Sequence, residues 1–126
     1  MTKSRKLYEI KCITSSIGKW EDVKEKVQTE TRLNFGYKST YWNSCGYCTA
    51  YMSTGHYMCE ACPLYTTKDR RYKIPYCYSM PTISESIART ALVEAGLHNW
   101  RNALTFINIL LEKMKSDLNN LKEKRC

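Results

Sequence analysis

The chain has 126 residues, a formal charge of +8 and seven cysteines. That length supports one modest core and no second domain, and no apolar run approaches the length of a membrane span. An odd cysteine count leaves one thiol over in any complete disulfide scheme, and the first twenty residues hold no signal-peptide core, so a secreted disulfide scaffold is excluded and a cytoplasmic setting is expected.

In chain order, Lys3, Arg5 and Lys6 form a basic arm. Ile13, Ile17, Trp20, Val23 and Val27 then recur at helical spacing, which predicts an amphipathic helix over 16–33, with Ser15 or Ser16 as N-cap and Asn34-Phe35-Gly36 as its stop. From Tyr37 to Pro81 the periodicity disappears, and Gly, Ser, Thr and Pro predict irregular backbone with at most a short β-hairpin. Pro81 followed by Thr82-Ile83-Ser84-Glu85 fits a capping box, opening a helix with Ile83, Ile87, Ala91 and Ala95 on one stripe and Gly96 at its end.

Beyond Gly96, Leu97, Trp100, Leu104, Ile107, Leu111, Met114, Leu118 and Leu121 follow alternating steps of three and four, a heptad seam. Ala103, Phe106 and Leu110 widen the apolar face of its first half; past Met114 only a narrow stripe remains. The seam residues Leu111, Met114, Leu118 and Leu121 therefore suit one partner helix, either the 16–33 helix or a second copy of the chain. The fold class expected is a mostly α single domain over 1–126: arm and helix in 1–36, a Cys- and Tyr-rich metal-bound segment in 37–81, and a helical segment in 82–126, about three helices in all.

Two C-x-x-C pairs, Cys45/Cys48 and Cys59/Cys62, carry the chemistry. Each pair makes a tight turn that aims two thiolates at one point, and four such sulfurs close a tetrahedron around Zn²⁺ at about 2.3 Å, leaving no open position for a reacting water. The expected role is structural, because between Tyr37 and Pro81 the large aliphatics are only Leu64 and Ile74, too few to offset the ordering entropy of the segment. Cys77 is the first reserve ligand and His56 a further alternative. The extra cysteine and the Cys62-Pro63 step also raise an iron–sulfur cluster as the alternative cofactor. Cys45-Gly46-Tyr47-Cys48 is similar to a disulfide-isomerase active site of the thioredoxin family, but the residues before it form no buried strand and no β-α-β pattern flanks them.

Nine of the ten tyrosines lie between Tyr37 and Tyr78, near the densest basic cluster, Lys68, Arg70, Arg71 and Lys73. Cations interleaved with aromatics suit single-stranded nucleic acid, with rings for bases and Lys/Arg for phosphates, so Tyr65, Tyr72 and Tyr76 join the cluster as the expected contact surface. The competing reading makes the tyrosines the shell of the metal site, rings inward and hydroxyls to water. No catalytic constellation is present: neither His56 nor His98 has a nucleophile beside it in sequence, there is no Gly-rich phosphate loop, and an enzyme is not expected.

Ser16-Ile17-Gly18-Lys19-Trp20-Glu21-Asp22, the pairs Cys45/Cys48 with Tyr51 and Cys59/Cys62 with Pro63-Leu64, then Cys77 and a carboxy-terminal amphipathic helix, together resemble a group of short Cys-rich proteins of phages and prophages. The resemblance implies a viral source, a cytoplasmic setting and a bound metal, and no activity. The function expected is that of a small basic zinc-stabilised protein that binds nucleic acid. The alternative is a phage-encoded protein that docks on a host protein complex to inhibit or redirect it; neither reading involves a membrane.

Overall fold

Thr2 starts the first helix: its Oγ1 accepts the Arg5 N–H at 3.1 Å, and α1 runs Lys3–Gln28. In this computed structural model the residues described are 2–29, 46–53, 56–57, 62–77 and 85–124. After α1 come α2 (Gly46–Tyr51), two-residue strands β1 (Met52–Ser53) and β2 (His56–Tyr57), a short α3 (Pro63–Thr66), α4 (Ile87–Gly96) and α5 (Trp100–Glu123). The strands pair antiparallel, Met52 with Tyr57 and Ser53 with His56. The protein is mostly helical, and among the described residues no helix is long and apolar enough to cross a membrane.

Lys3, Arg5 and Lys6 are therefore helical and not an arm, and Ser15 and Ser16 lie inside α1 and do not cap it. The buried positions of α1 are Glu9, Cys12, Ile13, Ser16, Trp20, Val23 and Val27. They form an unbroken stripe at helical spacing, but Glu9 and Ser16 are polar, which hides the first half of the stripe from any reading of apolar periodicity. The predicted stop at 34–36 lies outside the described residues; α1 itself ends at Gln28, with Thr29 extended.

Helix α4 also starts later than the capping box predicts. Glu85 is exposed and non-helical, Thr82 lies outside the described residues, and Ser86 is the N-cap, its Oγ accepting the Arg89 N–H at 3.1 Å. The two N–H groups ahead of Arg89 are satisfied by main chain: Ile87 donates to the Pro75 carbonyl at 2.9 Å and Ala88 to that of Tyr76 at 3.2 Å. All three leading donors of the helix thus have acceptors, and two of these come from the Cys-rich segment.

Gly96 is the last residue of α4, and the bend expected there occurs over Leu97, His98 and Asn99. The residue in the left-handed region is His98 (φ 60°); its N–H reaches the Ala95 carbonyl at 3.1 Å, and Asn99 reaches that of Glu94 at 2.8 Å. These bonds satisfy carbonyls that the helix end would leave without partners. Leu97, placed first on the predicted seam, is in this turn and 72% exposed.

The rest of the seam is observed. Ile107, Leu111, Met114 and Leu121 are buried, Trp100, Leu104 and Leu118 pack against the core at its margin, and Ala103, Ile109 and Leu110 widen it. α5 lies against both α1 and α4. Against α1 it runs antiparallel: Lys6 Nζ donates to the Lys124 carbonyl at 2.6 Å, Ile13 and Leu121 line one groove, and Lys115 pairs with Glu21 at 2.9 Å. The narrow half of the seam meets α1 of the same chain. Each fully buried aliphatic in this interface contributes about 1.5–3 kcal/mol relative to exposure.

Candidate metal centre and basic loop

Of the predicted metal ligands, Cys62 is described, as is the reserve Cys77; Cys45 and Cys59 lie outside the described residues, and so do the side chains of Cys48 and His56. The backbone of Cys48 is in α2, directly ahead of Tyr51, and that of His56 is in β2. Cys62 holds the N-cap position of α3 with Pro63 at the first helical position, where a missing N–H costs nothing. Its carbonyl accepts both the N–H and the hydroxyl of Thr66, each at 3.0 Å. The short helix stops at Thr66, so the Leu64 carbonyl is free of a helical partner and instead takes two N–H groups, from Tyr76 and from Cys77, each at 3.0 Å. Cys62 and Cys77 are both buried and belong to the one hydrophobic cluster of the fold. Among the described residues no group of three or more His, Cys, Asp and Glu stands together. The two described thiols suit the borderline-soft Zn²⁺.

Two carboxylates fasten α2, and with it the first C-x-x-C pair, to the helices. Tyr47, fully buried, donates from its hydroxyl to Asp117 Oδ2 of α5 at 2.8 Å, and the other oxygen of Asp117 takes Lys113 Nζ at 2.7 Å. On the other flank Glu9 of α1, 4% exposed, receives Arg5 Nε at 3.0 Å and the Tyr51 hydroxyl, while the Arg5 guanidinium also reaches the Ala50 carbonyl. Burial, then the adjacent carboxylates, push both hydroxyls well above the usual tyrosine range, so each stays a donor. The Cys62 thiol adds to the upward push on both rings, which places it beside α2. Tyr47 and Tyr51 thus belong to a shell around the metal segment, rings inward.

The basic cluster is a turn organised from below. Asp69 is buried, and its Oδ2 accepts the N–H groups of Arg71 and Tyr72, each at 3.0 Å, the local bonding pattern by which Asp favours turns. Asp69 N–H donates to the Ile74 carbonyl at 3.0 Å, Lys73 N–H to the Asp69 carbonyl at 2.8 Å, and Lys68 and Pro75 form the bridge at the base. Lys73 takes the left-handed conformation (φ 57°), which costs a non-glycine residue about 1–2 kcal/mol. With the carboxylate turned inward, Lys68, Arg70, Arg71 and Lys73 are all exposed.

Among the three tyrosines predicted to share this surface, Tyr72 does: it is 43% exposed and its ring rests on Phe106 of α5, centroids 4.8 Å apart. Tyr76 does not. It is buried, with Lys113 Nζ 5.7 Å from its ring centroid, and burial, with Asp69 and Asp117 nearby, raises its hydroxyl above the ordinary range. The physical reason is the strap through Leu64 and Ala88, which runs the 76–77 backbone along the core. The Tyr65 side chain lies outside the described residues. Sequence reasoning missed Asp69, Asp117, Lys113 and Glu9. Asp69 at the head of Asp-Arg-Arg-Tyr and the i, i+4 pair Lys113/Asp117 were the available signals; Glu9 in a charged stretch gave none.

No protein-family model, curated protein or solved structure matches this chain.

Proposed function

We propose that this is a small zinc-stabilised binding protein, not an enzyme, that engages single-stranded nucleic acid through the 68–73 loop. The observation that carries the reading is the inward carboxylate of Asp69. It takes the one negative charge of the loop out of the surface and holds four exposed cations, Lys68, Arg70, Arg71 and Lys73, around a half-exposed Tyr72 backed by Phe106. Rings at that exposure stack on bases, and cations at that density neutralise successive phosphates. The chain's overall +8 charge favours the same class of partner. The metal, Zn²⁺ in this reading, supplies the order that Leu64 and Ile74 cannot, with thiolates from the two C-x-x-C pairs and Cys77 as the candidates.

The test is binding of labelled single-stranded DNA and RNA at two or more salt concentrations, for the wild type and for Arg70→Ala/Arg71→Ala/Lys73→Ala. The expected result is binding that weakens steeply with salt in the wild type, and a log–log slope that falls by up to about one unit for each phosphate that the variant no longer neutralises. Equal binding by both proteins at both salts overturns the nucleic acid reading and leaves docking on a host protein complex as its successor. An absorption spectrum with visible charge-transfer bands and bound iron replaces zinc by an iron–sulfur cluster.

A further inference from the structure

We infer that Cys77 is a metal ligand and that it shares one ion with Cys62. This rests on the zinc reading above and sharpens it: a mononuclear tetrahedral site takes four donors, so with Cys77 inside, one cysteine of the two C-x-x-C pairs stays outside.

Backbone bonds bring the two cysteines together. Cys62 caps α3, and the Leu64 carbonyl two residues on is the common acceptor for Tyr76 and Cys77 N–H at 3.0 Å each. Those bonds hold the Cα atoms of Cys62 and Cys77 within about 10 Å, a span that two thiolates on one ion bridge with Zn–S bonds of about 2.3 Å. The position of Cys77 is then fixed from its other side, since the carbonyls of Pro75 and Tyr76 receive the first N–H groups of α4 at 2.9 and 3.2 Å. A ligand held between two elements in this way needs little ordering when the ion arrives, the condition that favours tight binding.

Burial points the same way. Cys62 is 6% exposed and Cys77 8%, both in the cluster that includes Tyr47 of the α2 turn. The Cys62 thiol also lies close enough to Tyr47 and Tyr51 to act on their hydroxyls, so the second C-x-x-C pair and Cys77 converge on the helix that carries Cys48. Cys12 is the internal contrast: equally buried, at 7%, it sits on α1 at a position of the helical stripe, packed as a small hydrophobe.

The experiment uses the full chain, purified reduced, loaded with Co²⁺ as a visible stand-in for Zn²⁺, and compares wild type, Cys77→Ser, Cys77→His and Cys12→Ser. Zinc affinity is measured in parallel by competition with a chromophoric chelator. Loss of an outer partner of a metal ligand costs about 10–100-fold in affinity, so loss of the ligand itself is expected to exceed about 100-fold. Cys77→Ser is also expected to drop roughly a quarter of the thiolate-to-cobalt absorption, one sulfur in four. Cys77→His is expected to recover affinity with a shifted spectrum, a rescue that a packing role cannot give, and Cys12→Ser to match the wild type. An unchanged cobalt spectrum in Cys77→Ser overturns the assignment while the zinc reading stands. A wild type that binds neither ion overturns both, as does a Cys62–Cys77 disulfide in the native protein by mass spectrometry. Far-UV circular dichroism confirms that each variant retains its helices.

Discussion

The helices α1, α4 and α5 and the segment from α2 to Cys77 are ordered by different forces. In the helices the buried stripe is aliphatic and aromatic, Ile13, Trp20, Val23, Val27, Leu92, Ile107, Leu110, Leu111 and Met114, and order follows from area removed from water. In the segment the described aliphatics are Leu64, buried, and Ile74, half-buried; order there comes from single directed bonds: Asp69 under its turn, the Leu64 carbonyl with two donors, Asp117 on Tyr47 and Glu9 on Tyr51. Burial is tolerant of sequence and spread over many residues, whereas a directed bond fails when one atom is removed.

The contrast between the two regions breaks most severely at the metal. On the zinc reading, Cys62→Ser is expected to destabilise the protein by several kcal/mol and chelation of the wild type to lower its melting temperature, with the effect concentrated in the segment's tyrosine near-UV signal. Full-strength melting after chelation would contradict it. Next in size is the helical side: Met114→Ala, in the middle of the α1/α5 interface and 1% exposed, is expected to cost about 2–5 kcal/mol by denaturant unfolding. A cost below about 1 kcal/mol would show that the interface repacks freely.

Smaller effects sharpen the contrast. Asp117→Ala removes the acceptor of the buried Tyr47 hydroxyl and the partner of Lys113, and a cost of about 1–3 kcal/mol is expected. Tyr47→Phe in the same background tests whether that cost comes from the orphaned hydroxyl: the double variant should recover part of it in a double-mutant cycle. The smallest change is stabilising. Gly18 is exposed in the interior of α1 with space for a Cβ, so Gly18→Ala is expected to add about 0.5–1 kcal/mol, read as a rise in melting temperature.

The same division governs what was legible in the sequence. Periodicity identified Ile107, Leu111, Met114 and Leu121 because burial repeats with the helix, and it located the bend after Gly96, although His98 supplies the left-handed residue there. It failed where a buried position is polar: Glu9 and Ser16 concealed thirteen residues of α1, from Lys3 to Ser15. It placed the start of α4 at Thr82 because a local capping box looked sufficient, whereas the helix starts after Ser86, with acceptors at Pro75 and Tyr76. In the segment composition alone was readable, many tyrosines and cations; which tyrosine faces inward is decided by long-range partners such as Phe106 for Tyr72 and Lys113 for Tyr76.

The bonds from Ile87 to Pro75 and from Ala88 to Tyr76 have a kinetic consequence. They make two amides of α4 dependent on a stretch of chain outside the helix, so these amides can be shielded from solvent exchange only while residues 75–77 are in place. Hydrogen exchange at Ile87 and Ala88 should then be set by opening of the segment, and exchange at Leu92, deeper in the same helix, by opening of the bundle. Two residues of an otherwise ordinary helix thereby become a clock for the neighbouring region, one that runs without a label or a bound partner.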